Sequence, residues 1–323
     1  MRAIVQTGRG SPDSVEVREV DLPDIAPNQA LVRVHASSVN PAEWYRVMAP
    51  AFTRMVGKVI ARGQPEPAGI GADLAGRIEA VGTEVTEFQP GDEVFGMSGA
   101  SWAEYAPARQ VRLVRKPANV SFEAAAAVPV AGLTALQALR DHGRVRAGQK
   151  ILINGASGGV GTFAVQLAKW LEADVTAVCS ASKVELVGSL GADRVVDYTR
   201  EDFTRLGIRH DVMIDVAGSR PFRQFARVLA PNATVVLTGG SMNTGLGPLP
   251  HFAGARLSGL FRKQTVASFL AKIEQADLAL MAELLESGRV KPVVERTYPL
   301  AEVPAALRHL GEGHARGKLV ITM

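Results

Sequence analysis

Residues 150–172 read KILINGASGGVGTFAVQLAKWLE. The apolar run Ile151–Ile153 predicts a buried strand, which leads through a glycine-rich turn into a segment with helical spacing of its apolar residues. A helix N-terminus presents free N–H groups and the positive end of the helix dipole, so this loop suits a pyrophosphate. The dinucleotide-binding spacing G-x-G-x-x-G is matched imperfectly, because Ala156 takes the place of the first glycine and Gly155 stands one position early.

Strand-like and helix-like segments alternate from residue 150 to about residue 270. The predicted strands are Ile151–Asn154, Val175–Cys179, Arg194–Asp197, Asp211–Val216, Thr234–Thr238 and Gln264–Phe269. This alternation predicts a parallel, doubly wound sheet of the Rossmann type. One intervening helix is predicted to begin at Ser182, because Ser182 and Glu185 have the spacing of a capping box. Together with the glycine loop, the pattern indicates a dinucleotide-binding domain.

The remainder of the chain has a different character. Up to about residue 120, short strands are separated by glycines and prolines, which predicts a β-rich domain. The tail from about Val290 returns to β character and is predicted to rejoin that domain, which makes it discontinuous. The 323 residues favour two domains. The predicted boundaries are 1–121 with 289–323 for the β-rich domain and 122–288 for the dinucleotide-binding domain.

The composition is that of an ordinary soluble globular protein, with 47% apolar and 21% charged residues. The net charge of +4 is scattered, which argues against a nucleic-acid-binding stripe. A membrane span needs about 18 uninterrupted apolar residues, and neither such a run nor a signal peptide is evident, so we expect a cytoplasmic protein without a membrane partner. The single cysteine, Cys179, excludes disulfides within the chain and is predicted to be a buried core thiol.

The end of the predicted second strand bears on the choice of cofactor. NAD-preferring sites usually place Asp or Glu there, whereas this chain has Ser180, Ser182 and Lys183. Hydroxyls and an ammonium group attract a 2′-phosphate that a carboxylate would repel, so NADPH is predicted. The two serines have a second interpretation, as caps of the next helix, and both interpretations are compatible.

Several segments resemble those of the zinc-independent, quinone oxidoreductase branch of the medium-chain dehydrogenase/reductases. They are Ser38–Tyr45, Gly71–Gly76, Pro90–Gly96, Gly155–Gly161, Leu190–Asp193 with Asp197–Tyr198, and Glu312–Lys318. Within that branch, Val236–Ser241 and Phe269–Lys272 are most similar to the reticulon-4-interacting-protein-like subgroup. The resemblance implies an α/β fold with a doubly wound Rossmann domain and a discontinuous, β-rich, GroES-like catalytic domain. It also implies a homodimer.

The zinc alcohol dehydrogenases of the same superfamily are the main alternative. Their catalytic metal needs a Cys or Asp, a Gly-His-Glu segment and a further Cys or Asp. The corresponding stretch here is Gly71-Ala72-Asp73, which has no histidine, and Cys179 belongs to the predicted cofactor sheet. The six histidines show neither HxH nor HExxH spacing. The sequence therefore argues against catalytic zinc.

Without a Lewis acid, an activated acceptor is easier to reduce than a simple ketone. In a quinone or an α,β-unsaturated carbonyl, the charge that follows hydride delivery delocalises onto oxygen, where hydrogen-bond donors stabilise it. The resemblance implies that Asn40 and Tyr45 are the catalytic residues on the substrate side. Asn40 would orient the carbonyl, and Tyr45 would donate a hydrogen bond or relay a proton that solvent could equally supply. From the residues alone, Asn40 is a turn residue before proline and Tyr45 a half-buried aromatic.

The resemblance also implies the cofactor contacts. Thr134 would lie near the nicotinamide; Ser157, Gly158, Gly159 and Val160 would contact the pyrophosphate; Ser180, Lys183 and Tyr198 would surround the adenosine phosphate; and Ala217, Gly239 and Gly240 would flank the nicotinamide ribose. Residues 242–259 would either cover the active site or form a surface loop. The predicted function is NADPH-dependent hydride transfer to a quinone or enone without a metal. The alternatives are a non-catalytic NADPH-binding structural or interaction protein, and a zinc-free alcohol or carbonyl reductase.

Overall fold

The structure is a computed structural model that describes residues 1–8, 10–48, 69–240, 252 and 263–323. Apart from residue 252, the segment 242–259 lies outside the described residues. The strands are β1 (Arg2–Gln6), β2 (Val15–Glu19), β3 (Gln29–Val39), β4 (Asp73–Val81), β5 (Glu93–Met97), β6 (Tyr105–Arg109), β7 (Leu113–Arg115), β8 (Lys150–Asn154), β9 (Asp174–Cys179), β10 (Arg194–Asp197), β11 (His210–Asp215), β12 (Leu229–Leu237), β13 (Thr265–Ser268), β14 (Val294–Pro299) and β15 (Lys318–Thr322). The α-helices are α1 (Pro41–Met48), α2 (Phe122–Ala126), α3 (Pro129–Gln137), α4 (Gly159–Trp170), α5 (Val184–Ser189), α6 (Phe222–Phe225), α7 (Gln275–Glu286) and α8 (Val303–Gly311).

The chain divides into two compact units. Unit 1 comprises Met1–Leu133 and Lys272–Met323, and unit 2 comprises Thr134–Ala271. The boundaries predicted from the sequence, 1–121 with 289–323, differ from this division by residues 122–133 and 272–288, which include α2, the start of α3 and α7. In unit 1, α2 packs on β3 and β4, and α7 packs on β7. A helical sequence pattern gives the period of the apolar face but not the sheet that covers it.

Unit 2 contains one parallel sheet among its described residues, in the order β10-β9-β8-β11-β12-β13. Counted from the first strand of the unit, this is the order 3-2-1-4-5-6 of dinucleotide-binding folds. The central strand β8 is buried from Ile151 to Asn154, because helices cover both faces of a doubly wound sheet. The predicted Rossmann architecture is therefore confirmed.

The predicted core thiol is also confirmed. Cys179 ends β9 with 2% of its surface exposed, and burial raises the pKa of its thiol to about 11. A thiol with that pKa is protonated at neutral pH and is a poor nucleophile.

The start of α5 differs from the prediction. The chain first forms a 3-10 turn, Ala181–Lys183, in which the Lys183 N–H donates to the Ser180 carbonyl at 3.0 Å. The α-helix begins only at Val184, and no side chain caps either element. The predicted capping box at Ser182 is therefore wrong, because the turn moves the helix start two residues beyond it.

Unit 1 contains a sheet in the order β14-β15-β3-β4-β5-β7, with β6 also paired to β3. The C-terminal strand β15 runs antiparallel to β3 and parallel to β14. The tail thus rejoins the N-terminal β-rich region, as the sequence predicts. No helix of the described residues is long and apolar enough to cross a membrane.

Candidate functional site

The glycine loop follows β8 and opens α4, the helix predicted to face a pyrophosphate. Gly158 is the N-cap of α4, and no side chain caps this helix end. Among the described residues, a Cβ on Gly158 would have only the Gly155 carbonyl oxygen within 4 Å, at 3.6 Å. The first N–H groups of α4 are therefore not used by a capping side chain, and the backbone there leaves room for a ligand.

Two other glycines are required by the path of the loop. Gly155 has φ +86°, a conformation that L side chains rarely adopt. A Cβ on Gly161 would overlap the Gly155 carbonyl oxygen and lie 2.7 Å from the Cα of Ala156. Ala156 is buried, and its backbone does not have the positive φ that favours glycine. The loop thus departs from G-x-G-x-x-G by moving the left-handed glycine to position 155.

The carboxyl ends of the parallel strands carry a polar cluster beside this loop. The buried Asn154 side chain donates to Asp215 Oδ1 at 2.7 Å and to Ser219 Oγ at 3.1 Å. Asp215 Oδ1 also accepts from the Gly218 N–H at 3.1 Å. These bonds join the ends of β8 and β11, which are neighbours in the sheet. Open α/β sheets bind their ligands at this edge.

The predicted ribose-flanking residues follow the same strand ends. Ala217 comes two residues after β11, and Gly239 and Gly240 come after β12. A Cβ on Gly239 would overlap the Val216 carbonyl oxygen, so the chain passes too close for any other residue there. Thr134 lies in α3 and is half-buried.

The predicted adenosine-phosphate residues lie at the ends of β9 and β10. Ser180 is half-buried, Lys183 is 8% exposed and Tyr198 is 49% exposed. The strands place them together, since the Tyr198 N–H donates to the Cys179 carbonyl at 3.0 Å. One carboxylate, Asp197, stands at the end of β10. Hydrogen bonds from the Thr199 hydroxyl, the Thr199 N–H and the Ala181 N–H lower its pKa, as does the charge of Arg200.

Unit 1 holds the other predicted site residues, beginning with Asn40. Asn40 precedes α1, and its carbonyl accepts from the Trp44 N–H at 3.3 Å, so it occupies the N-cap position. Its own N–H donates to Glu43 Oε2 at 2.9 Å, which is one half of a capping box. Asn40 is 2% exposed.

The Asn40 side chain is fixed at both ends by charged groups. Its Nδ2 donates to Asp73 Oδ2 at 3.0 Å, and its Oδ1 accepts from the Lys318 ammonium. The Asn40 side chain also forms a hydrogen bond with the Glu43 carboxyl group, so contacts with three ionisable side chains fix its orientation.

Asp73, at the start of β4, is the centre of this cluster and is fully buried. Besides Asn40, it accepts from the Ser38 hydroxyl, from the Val130 N–H at 2.8 Å and from Lys318 Nζ at 3.4 Å. The Lys318 ammonium group also donates a hydrogen bond to the Val39 carbonyl at 3.3 Å. A buried ion pair is tolerable only when its remaining polar atoms are bonded in this way.

Tyr45 lies two residues beyond Glu43 on α1. It is half-buried and packs edge-on against Trp44, with ring centroids 5.3 Å apart. Burial raises the pKa of the Tyr45 phenol above its ordinary value. The phenol is therefore protonated at neutral pH and is able to donate a hydrogen bond.

Comparison with known proteins agrees with this architecture. Residues 26–118 match the alcohol dehydrogenase GroES-like domain, and residues 190–321 match a family described as zinc-binding dehydrogenase. The chain is 34% identical over 326 residues to the chloroplast envelope quinone oxidoreductase homolog of Arabidopsis thaliana, covering 97% of this chain and 95% of that protein. It belongs to the medium-chain dehydrogenase/reductase superfamily.

Further relatives of this dehydrogenase/reductase are reductases and oxidoreductases by name. It is 34% identical over 336 residues to 2-methylene-furan-3-one reductase of Solanum lycopersicum, covering 99% of this chain and 79% of that protein. It is 33% identical over 340 residues to the mitochondrial NAD(P)H oxidoreductase RTN4IP1 of Homo sapiens, covering 92% and 82%. The solved quinone oxidoreductase from Coxiella burnetii superposes with a TM-score of 0.87 at 28% identity, covering 100% and 99%. The resemblance to the quinone oxidoreductase branch and the GroES-like domain are confirmed.

The name of one matching family implies zinc, but the donors in this medium-chain dehydrogenase/reductase do not fit a metal ion. Asp73 is engaged by four donors, and one of them is the ammonium group of Lys318, which repels a divalent cation. Within the described parts of the chain, no three His, Cys, Asp or Glu side chains are grouped to hold a metal. We therefore derive no catalytic step through zinc.

Sequence reasoning missed the residues that bond the predicted ones in place. In unit 1 these are Glu43, Asp73 and Lys318, which bond Asn40. In unit 2, Asn154, Asp215 and Ser219 form a polar cluster among themselves at the strand ends. Asn154 ends one predicted strand and Asp215 is the penultimate residue of another, which was an available signal. Lys318 ends the family-like segment Glu312–Lys318, but its pairing with Asn40 could not be inferred, because the two residues are distant along the chain.

Proposed function

We propose that this protein is an NADPH-dependent oxidoreductase that transfers a hydride to a quinone or an α,β-unsaturated carbonyl compound without a metal. The observation that carries the proposal is the uncapped N-terminus of α4 on the carboxyl edge of a 3-2-1-4-5-6 sheet. This geometry suits an anionic dinucleotide.

The proposed NADPH contacts follow from that edge. Ser157, Gly158, Gly159 and Val160 would hold the pyrophosphate at the start of α4. Ser180, Lys183 and Tyr198 would bind the 2′-phosphate, since a lysine and two hydroxyls form charge-assisted hydrogen bonds with it. Ala217, Gly239 and Gly240 would flank the nicotinamide ribose, and Thr134 would lie near the nicotinamide. When bound, NADPH supplies the hydride.

The proposed acceptor class draws on two relatives. The Arabidopsis relative is named a quinone oxidoreductase homolog, and the tomato relative is named a reductase of a methylene-furanone, which is an enone. In both kinds of acceptor, negative charge develops on a carbonyl oxygen as the hydride arrives. The protonated Tyr45 phenol would donate a hydrogen bond to that oxygen, and Asn40 would orient the carbonyl.

The test is NADPH oxidation, followed by absorbance, with 9,10-phenanthrenequinone and with a simple enone. We expect turnover of at least one of them, with NADPH strongly preferred to NADH. NADPH binding without turnover of either acceptor would instead identify a non-catalytic NADPH-binding protein. Equal use of NADH would contradict the assignment of Ser180 and Lys183 to a 2′-phosphate.

The variant Tyr45→Phe tests whether the Tyr45 hydroxyl takes part in the reaction or whether the ring only packs in the substrate site. Loss of one hydrogen bond to developing charge costs about 2–4 kcal/mol, which corresponds to a fall in kcat of about 30-fold or more. An unchanged kcat would show that Tyr45 supplies only packing and that solvent provides the proton.

We further propose that the protein is a cytoplasmic homodimer. The parallel sheet of unit 2 has β13 at one edge in the described residues, and Leu270, just beyond it, is 91% exposed. An unpaired strand edge with an exposed apolar side chain favours association with a second copy. Light scattering coupled to size-exclusion chromatography tests the dimer, and a monomeric mass would contradict it.

A further inference from the structure

Three ionisable side chains share one buried site in unit 1. Asp73 is 0%, Lys318 3% and Glu43 5% exposed, although they come from β4, β15 and α1. Two carboxylates thus surround a single ammonium group. In a low-dielectric interior, a second unpaired negative charge is costly, so only one of the two carboxylates ionises easily.

The two carboxyl groups differ in their surroundings. Asp73 contacts Lys318 and accepts from three other donors. Glu43 instead contacts neutral donors: its Oε2 accepts from the Asn40 N–H at 2.9 Å, and its carboxyl group also bonds its own backbone N–H and the Asn40 side chain. Lys318 has no proton left for Glu43, because Asn40, Val39 and Asp73 take all three.

We propose that Glu43 is a positioning residue that acts as a neutral carboxylic acid: in that form it holds the first turn of α1, and with it Asn40 and Tyr45, whereas its ionisation loosens that turn. This inference rests on the proposed function for its effect on turnover. It concerns the regulation of the substrate side of the site by pH.

The pKa of Glu43 agrees with this geometry. Burial is the main cause that raises it, the charge of Asp73 is the second, and together they bring it to about 7. The hydrogen bond from its own backbone, the charge of Lys318 and the hydrogen bond from the Asn40 side chain lower the pKa, each with smaller effect. Glu43 is therefore neutral below about pH 7 and ionises above it.

Within the described residues, the other charged groups that pack near α1 have contacts elsewhere. The helix packs against α8 and against the 3-10 turn Pro12–Ser14. Arg308 of α8 pairs with Asp13 of that turn, and His309 of α8 bonds the Tyr298 hydroxyl at 2.7 Å. On α1 itself, Arg46 donates to the Gly69 carbonyl at 2.7 Å. Among the described side chains, Lys318 is therefore the cation that an ionised Glu43 would attract.

Ionisation of Glu43 would change the contacts of Asn40, because Asn40 is bonded to both Glu43 and Lys318. An ionised Glu43 relieves its repulsion from Asp73 either by moving toward water or by attracting Lys318. The first movement breaks the bond to the Asn40 N–H, and the second breaks the bond to Asn40 Oδ1. Either way Asn40 loses one of the contacts that define its orientation, and Tyr45 lies in the same short helix.

The first experiment needs no turnover. Infrared spectroscopy of the full-length protein, one pH unit below and one unit above about 7, should show a protonated carboxyl band that disappears at the higher pH. The band should be absent from Glu43→Gln at both values and unchanged in Glu123→Gln, a control at the first turn of α2. A spectrum that is the same in wild type and Glu43→Gln overturns the proposal, whatever the enzyme does.

The second experiment links the charge to the reaction. For the wild type, kcat/KM for the acceptor should fall toward a tenfold loss per pH unit above about pH 7. Glu43→Gln keeps an oxygen that accepts from Asn40, and should lose this alkaline limb. Asp73→Asn should move the limb to lower pH, because it removes a charge that raises the pKa of Glu43. An alkaline limb that persists in Glu43→Gln overturns the positioning role. Failure to turn over any acceptor contradicts only the proposed function.

Discussion

Lys183 is the residue on which the proposed preference for NADPH depends. Its neighbours Ser180 and Tyr198 supply hydroxyls, but Lys183 alone brings a positive charge to the end of β9. It is 8% exposed, and its side chain is thus held close to the sheet edge by its surroundings. A charge held in this way recognises a phosphate more strongly than a freely solvated lysine.

We expect Lys183→Ala to raise the KM for NADPH about 10-fold to 100-fold and to leave the KM for NADH nearly unchanged, since a charge-assisted hydrogen bond contributes about 1.5–3 kcal/mol. Steady-state kinetics with both cofactors measures this change. Lys150→Ala, at the opposite end of β8, is the matched control. If the two cofactors are affected equally, Lys183 does not bind the 2′-phosphate.

His210 makes the stability of unit 2 sensitive to acid. The ring is fully buried, Nδ1 donates to the Val228 carbonyl at 3.0 Å, and Nε2 has no hydrogen-bond partner in the described part of the chain. Protonation would create a buried N–H without an acceptor. Burial therefore lowers the pKa of His210 below 6.5, and a backbone hydrogen bond only partly opposes it.

Because the folded protein binds this proton less readily than the unfolded chain, the free energy of unfolding should decrease as the pH falls below about 6.5. We expect His210→Gln to remove part of this decrease in urea denaturation series at several pH values. His314→Gln, at an exposed position, is the control. An identical pH dependence in wild type and His210→Gln would contradict the assignment.

At the scale of elements, the contact between the glycine loop and α4 depends on the absence of a side chain at Gly161. We expect Gly161→Ala to push the start of α4 away from the loop, to lower the free energy of unfolding by about 1–3 kcal/mol and to weaken NADPH binding. Thermal denaturation and cofactor titration measure the two effects. Gly188→Ala in α5 is the control, because its Cβ would come no closer than 4.0 Å to Val195. Wild-type behaviour of Gly161→Ala would show that the loop adapts.

The elements of unit 1 are joined by the buried pair of Lys318 and Asp73. Lys318→Met removes the ammonium and leaves Asp73 charged without a counter-ion, so we expect the free energy of unfolding to fall by about 3–5 kcal/mol. The double variant Lys318→Met with Asp73→Asn should recover part of this loss. Urea denaturation of the two variants measures both values. A double variant that is less stable than the single one by the full cost of Asp73→Asn would show that the residues are not coupled.

At the scale of the whole molecule, the proposed cofactor residues lie in unit 2, and the buried charges lie in unit 1. A ligand that binds only the folded state stabilises it, by about 2.7 kcal/mol at a hundred times its Kd. We therefore expect NADPH to raise the Tm of the wild type, NADH at the same concentration to raise it less, and Gly161→Ala to respond weakly to either. Differential scanning calorimetry measures the shifts. An equal response to both cofactors would count against NADPH preference.

Much of unit 2 was predictable, because its elements are encoded locally. The run Ile151–Ile153 is apolar on both faces, which only a covered parallel strand explains, and the following glycines fit one kind of turn. The position of α5 was missed by two residues, since a 3-10 turn and a capped helix start have the same residue types. In unit 1, Asn40 and Tyr45 were proposed from the family resemblance, while Glu43 was not singled out.

By itself, the sequence determined the alternation of strands and helices, the glycine loop and the absence of an acid after the second strand of the dinucleotide fold. Each of these features depends on a few neighbouring residues, because the spacing of apolar residues and the residue types at turns determine local secondary structure. Only the tertiary structure decided that α2 and α7 belong to unit 1 and that residues 43, 73 and 318 share one buried site. The physical reason is that a charge's neighbours, and hence its pKa, depend on which distant segments the fold brings within a hydrogen bond of it.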